Sequence, residues 1–295
     1  MQQSLRRWPL LLRHRRRLAH ETRCKGEVGQ GDADLQEGQE QARLVEVVVR
    51  VARRLMLAAL CIAALVAPGG PASASDDPVL ERRVIGSSVE GRPLEAFRMG
   101  AKGGVVIVVV GVIHGNEAAG LQITDELLRM SAPRGVELWV IPTMNPDGTA
   151  LDRRGNANQV DLNRNFPYAW APMGKPGYWQ FAGPKRASEP ETKAIVKFMR
   201  EIKPELGIWY HQDLNMISPG TGFEGKLREK YSQLTGIPIK RITGGTYTGV
   251  AATWQRSTLS GSGAFVVELG ESLSKDSALV HAQAVHIVAM MVRDR

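Results

Sequence analysis

From residue 83 onward, hydrophobic and polar positions fall into short segments of recognisable period. RVIGSSVEGRPLEAFRMG (83–100) alternates around a Gly-Arg-Pro turn and predicts two short strands. VVIVVVGV (105–112) is unbroken and β-branched, the pattern of a strand covered on both faces. Leu121, Ile123, Leu127 and Leu128 then recur at helical spacing within 117–131. VELWVIP (136–142) predicts a second covered strand, stopped by Pro142 and the turn NPDG (145–148). Residues 149–187, rich in Gly, Asn, Pro and aromatics, predict a long irregular excursion, and such loops are often functional.

Ser188, with Pro190 in the first turn and Glu191 three residues on, predicts a capping-box helix start. That helix runs to about Ile202, before Pro204. LGIWYH (206–211) reads as a third strand, about 224–235 as a helix, AFVVELG (264–270) as a fourth strand and 277–293 as a closing amphipathic helix. The run KLREKY (226–231) reads as a solvated helix face. Met290-Met291 reads as core, and His281 and His286 as ordinary helix residues. Strands alternating with helices predict an α/β fold: a mixed, largely parallel sheet flanked by helices.

Polar residues stand where the strands end. His114 and Glu117 follow the first covered strand, His211 ends the third, and Glu268 sits inside the apolar string FVVELG. In open α/β sheets reactive groups lie just past the carboxyl ends of strands. A glutamate within an apolar string is costly to bury unless paired or functional. Two histidines and a carboxylate form a catalytic zinc set that leaves a position for water. A further carboxylate can take the water proton and pass it to a leaving amine, and Glu268 has the type and place for that. The helix-borne His-Glu-x-x-His pattern is absent. The excursion supplies cations: Arg154, and the pair Asn163-Arg164 in GNANQVDLNRNFP (155–167). One arginine fork can hold a carboxylate and another an oxyanion.

In this order HGNE, NPDG, VDLNRNFP, WYHQ and FVVELG resemble the zinc carboxypeptidase family, from about residue 84 to the C-terminus. The resemblance implies a phosphorylase/hydrolase-type three-layer sandwich and one zinc ion per chain. It implies His114, Glu117 and His211 as ligands and Glu268 as general base and acid. It also implies Arg154 as the transition-state arginine and Asn163 with Arg164 as the grip on the substrate's terminal carboxylate. ASEPET (187–192) and WYHQ are closest to the compact bacterial murein peptide amidase branch, whose members cut between γ-D-glutamate and meso-diaminopimelate. Longer family members carry a mobile tyrosine in the segment before the catalytic glutamate, and the resemblance makes Tyr247 the candidate for it. Ala252, two residues before Trp254, is positioned to line the side-chain pocket and to leave room there. Asp213 can pair with a substrate ammonium, such as that of diaminopimelate, or can be a surface loop carboxylate. Trp170, Trp179 and Tyr168 can line a cleft or cover the sheet.

Composition refines this picture at the N-terminus. The formal charge is +8, but residues 1–74 carry 12 Lys+Arg against 7 Asp+Glu, so most of the excess lies there and gives little support to a nucleic-acid partner. Arg53-Arg54, the apolar run LMLAALCIAALVAP and Ala72-Ser73-Ala74 predict a signal peptide over 51–74, cleaved before Ser75. The run is shorter than the ~20 residues of a membrane span. Residues 1–50 read as a leader without compact fold, upstream of the true start. Both cysteines, Cys24 and Cys61, fall before Ser75, leaving 75–295 as one disulfide-free catalytic domain. The expected setting is the cell envelope, with a cell-wall peptide as substrate and no stable membrane insertion after cleavage. Three alternatives stay open: a general carboxypeptidase on ordinary peptides, an N-acyl-amino-acid deacylase of the aspartoacylase type, and a non-catalytic wall-binding domain. The ordered NPDG and NRNF blocks favour a peptidase over the deacylase, and the intact Glu268 disfavours the binding domain.

Overall fold

β-Branched residues dominate VVIVVVGV, and in the computed structural model, which describes residues 78–295, this run is strand β3 (Val105–Val112). The predicted leader and signal peptide lie outside the described residues. Two strands pair with β3 in parallel, β4 (Val136–Thr143) on one side and β5 (Leu206–Gln212) on the other. A further strand, β6 (Gly263–Leu269), continues the parallel set beyond β5. The hairpin β1 (Val79–Ser87) and β2 (Pro93–Met99) adds to β4 in antiparallel fashion. The order β1-β2-β4-β3-β5-β6 is a mixed, largely parallel sheet, as the alternation predicts.

Helices α1 (Gly120–Leu128), α4 (Gly222–Thr235) and α6 (Lys275–Arg293) cover one face, with the short α2 (Pro146–Ala150) past the end of β4. Helices α3 (Pro190–Ile202) and α5 (Ala251–Thr258) cover the other. On the first face Ile107, Val109, Tyr210 and Val267 pack against Ile123, Leu127, Leu227 and Val285. On the second, Val108, Val110, Trp139 and Trp209 pack against Ile195, Phe198, Trp254 and Phe166. The alternation of side chains along each strand supplies both cores. The first core also holds a polar chain. The Tyr210 and Tyr231 hydroxyls are 2.6 Å apart, and the Tyr231 hydroxyl lies 2.8 Å from His281 Nδ1. Burial pushes the pKa of His281 down to about 4, so its imidazole is neutral. Among the described residues no helix is long and apolar enough to cross a membrane.

Several local expectations change. Helix α1 begins at Gly120, not near 117, because Glu117 is held in the preceding loop by its side chain. The capping box does not form. Glu189 is the N-cap and makes no side-chain cap. Ser188 Oγ instead donates to Glu189 and accepts from Asn165, while buried Glu191 accepts from Val89 N and Asn156 Nδ2. These groups anchor the excursion rather than the helix end. NPDG is more than a turn: Asn145 caps α2 by accepting from Gly148 N at 3.0 Å. Helix α5 has no counterpart among the predicted elements. The KLREKY face is not wholly solvated, since Leu227, Arg228 and Tyr231 are buried.

Candidate active site

The chain runs from β3 to β4 on one side and reaches β5 on the other, so a crevice opens where β3 and β5 end, the usual ligand position of such sheets. His114 lies two residues past β3, and the 115–119 loop brings Glu117 back beside it. His211 is in β5 and sits directly across from Glu268 of β6 in the parallel register. Neighbouring residues in register share a face of the sheet, so both side chains project to the same side.

His114, Glu117 and His211 converge, their donor atoms all within 4.8 Å of one another. His114 Nδ1 is 2.8 Å from Glu117 Oε1, His211 Nδ1 is 2.8 Å from Glu117 Oε2, and the two Nδ1 atoms are 3.1 Å apart. All three side chains are buried. Burial disfavours the Glu117 carboxylate, yet the two imidazoles outweigh it and hold its pKa well below the usual range. Burial also works against protonating His114, but Asp161 and Glu117 outweigh it and raise its pKa. His211 moves the other way, because burial prevails.

The donor set fits zinc: two imidazole nitrogens and a carboxylate, closed on the protein side and open to a cavity. The outer nitrogen of His114, Nε2, meets Asp161 Oδ1 at 2.8 Å, which leaves Nδ1 as the free ligand atom. Asp161 is absent from the residues singled out in the sequence. It is buried, ion-paired to Arg154 and also caps the 3-10 turn Leu162–Arg164 by accepting from Asn163 N. Its only signal was its place in VDLNRN, which cannot reveal that it faces a histidine 47 positions earlier.

The ten candidate ligand, catalytic and substrate-binding residues all line one of two adjoining cavities, which Trp170 and Tyr168 do not. The first, about 600 Å³, is lined by the three clustered residues, Arg154, Asn163, Arg164, Asp213, Tyr247 and Glu268. The second, about 700 Å³, shares Asn163, His211, Tyr247 and Glu268 and adds Ala252. Arg154 donates to Glu117 Oε1 at 2.9 Å and to Asp161 Oδ2 at 2.9 and 3.1 Å, and its guanidinium lies over Trp179 at 5.1 Å. Trp179 thus lines the first cavity rather than covering the sheet. Asn163 Nδ2 is 3.1 Å from His211 Nε2, and its Oδ1 accepts from Ala251 N. Arg164 lies 5.3 Å over the ring of half-exposed Tyr247, and its buried Nε has no partner among the described residues. Asp213 is exposed and lines only the first cavity, away from Ala252.

Glu268 differs from its neighbours. Among the described residues its carboxylate makes no hydrogen bond or ion pair. Burial, then the negative charge of Glu117, pushes its pKa up to about 7. A carboxyl poised there can both take and give a proton near neutrality.

Residues 72–236 match the zinc carboxypeptidase family, a span that carries His114, Glu117, Arg154, Asn163, Arg164 and His211. The chain belongs to the zinc carboxypeptidase family. It is therefore a metal-dependent hydrolase, and zinc is the metal that its His-Glu-His cluster holds. It is 32% identical over 180 residues to murein peptide amidase A of Escherichia coli (strain K12), covering 57% of this chain and 74% of that protein. It is 30% identical over 167 residues to carboxypeptidase SOL1 of Arabidopsis thaliana, covering 50% of this chain and 32% of the plant protein. The crystal structure of the murein-tripeptide amidase of Escherichia coli O157 superposes with a TM-score of 0.59 at 25% identity, covering 76% of this chain and 96% of that one. Carboxypeptidase A from Helicoverpa armigera shares the fold at a TM-score of 0.63 and 18% identity, over 73% of this chain and 69% of that one. The family match ends before β6, so the place of Glu268 rests on the sheet register and the shared cavity.

Proposed function

We propose that the protein is a zinc amidase of the cell envelope that releases meso-diaminopimelate from murein peptides by cleaving its bond to γ-D-glutamate. The observation that carries the chemistry is the convergence of His114, Glu117, His211, Arg154 and Glu268 on one cavity. Likeness to two murein peptide amidases supports the substrate.

His114, Glu117 and His211 hold the zinc, which when bound polarises a substrate carbonyl and acidifies water. Glu268 takes a proton from the attacking water as the water oxygen adds to the carbonyl carbon. Arg154 offers its guanidinium to the oxyanion that develops. Glu268 then gives the proton to the amine nitrogen as the C–N bond breaks. Asn163 and Arg164 grip the terminal carboxylate of the leaving residue, with Tyr247 closing over Arg164. Ala252 leaves space for that residue's side chain. Asp213, in the first cavity, pairs with an ammonium on the acyl part of the substrate. Residues 51–74 direct export and 75–295 form the catalytic domain.

The test is to incubate zinc-loaded protein with L-Ala-γ-D-Glu-meso-diaminopimelate and with ordinary C-terminal L-peptides, and to follow products by mass spectrometry. Free diaminopimelate, absent with Glu268→Gln, is the expected product. Turnover of ordinary peptides alone removes the murein assignment and keeps the chemistry.

A further inference from the structure

The second cavity runs from Glu268 along one face of α5. Ala252 and Arg256 are four positions apart on that helix, so they share a face one turn apart, and both line the cavity. Ala252 gives space near the reacting groups, and Arg256 stands beyond it. Arg256 Nη1 donates to Ala264 O at 2.8 Å and Nη2 to Thr253 Oγ1 at 3.4 Å. Buried Arg228 donates to the same carbonyl at 3.2 Å, so two guanidinium groups meet at one acceptor.

Their charges are not equally matched. Arg228 pairs with Glu224, whose other oxygen is taken by Ala264 N at 3.0 Å. Arg228 also donates to Ser218 O and Pro219 O. Arg256 has no carboxylate partner among the described residues and is exposed to the cavity solvent. Two cations and one anion leave this end of the cavity with one positive charge in excess. A guanidinium fork free on one edge accepts a carboxylate with two parallel hydrogen bonds.

We infer that the second cavity selects a leaving residue whose side chain ends in a carboxylate, and that Arg256 receives that group. This rests on the reading of Asn163-Arg164 and Glu268 given above. It also deepens it, because meso-diaminopimelate is lysine with a carboxyl on its far carbon. Selection between the two would come from the charge excess beyond Ala252.

The experiment crosses two acyl parts with two leaving residues. L-Ala-γ-D-Glu and N-benzoylglycyl peptides, each ending in meso-diaminopimelate or in L-lysine, are offered to zinc-loaded protein. In whichever acyl series turns over, kcat/KM favours diaminopimelate by about 10–100-fold, the worth of a charge-assisted hydrogen-bonded pair. In Arg256→Gln that ratio falls to within about three-fold, in Arg256→Lys it is partly kept, and in Arg256→Glu it reverses toward lysine. Calorimetric binding of free meso-diaminopimelate and free L-lysine reads the same preference without turnover. A wild-type ratio near one, or a ratio that survives in Arg256→Gln, overturns the inference. Turnover of the benzoylglycyl series alone overturns the murein assignment, while the diaminopimelate-to-lysine ratio in that series still judges Arg256.

Discussion

Glu268 stands in the cavity without a partner among the described residues, and its raised pKa has two consequences of opposite use. In the proposed reaction the Glu268 carboxylate must be ionised to accept a proton, so kcat/KM should fall on the acid side of the metal-free pKa of about 7. Bound zinc, a cation nearby, moves that limb to lower pH. Glu268→Gln should lose the limb and about 10³-fold or more in kcat, as a pH–rate profile would show. For folding the sign is reversed. A carboxyl whose folded pKa lies above its ordinary 4.5 contributes stability that is full below about 4.5 and lost as pH rises through about 7. Metal-free Glu268→Gln should therefore exceed metal-free wild type by roughly 1–3 kcal/mol at pH 8, allowing for partial exposure, and match it near pH 4. Equal urea midpoints at both pH values would refute this account of the site. Asp161 gives a second prediction. Asp161→Asn should weaken zinc binding about 10–100-fold in chelator competition, because His114 loses the partner that fixes its ring. The metal cluster and Glu268 were legible in the sequence because each departs from an apolar strand. Asp161 and Arg256 were not, because their meaning lies in a facing residue from another segment.

At the scale of elements, the loop that carries His114 and Glu117 depends on a close contact between β3 and α1. A Cβ on Gly120 would lie 1.9 Å from Gly111 O, and one on Gly111 would lie 2.6 Å from Pro142 O. Gly120→Ala should cost about 2–4 kcal/mol in denaturant unfolding and weaken zinc binding with it, since the loop between the two elements must shift. A variant as stable as wild type would mean that this contact yields easily. The strands were readable because covered strands are continuous β-branched runs. Helix α5 was not, since its eight residues follow a glycine- and threonine-rich stretch and bury only Ala251, Ala252, Trp254 and Gln255. The false capping box at Ser188 shows a related effect. The local pattern was present, but Asn165, Val89 and Asn156 reached the same side chains first.

Across the whole molecule, the cluster ties the end of β3 to β5, segments 97 positions apart at His114 and His211. Zinc bound to the folded state alone should raise Tm. At free zinc about 100 times the Kd the gain is about 2.7 kcal/mol, or roughly 5–10 °C for a domain of this size. A chelator should abolish the shift, and Glu117→Ala should remove it; calorimetry checks both. Alternation of strands and helices made the α/β class legible, but the order β4-β3-β5-β6 follows from which strands meet in space, and periodicity does not encode it.

The register of β5 against β6 sets a parity rule. His211 and Glu268 line one cavity because both side chains leave the same side of adjacent strands. Val267 and Leu269, either side of Glu268, belong to the opposite core. Lengthening β6 by a single residue before Glu268 would turn the carboxylate toward Tyr210 and α6, whereas two residues would restore its side at the cost of its depth. Drift in this strand is thus confined to substitutions and paired insertions, and an unpaired one would leave a folded sheet with the Glu268 carboxylate on the wrong side of it.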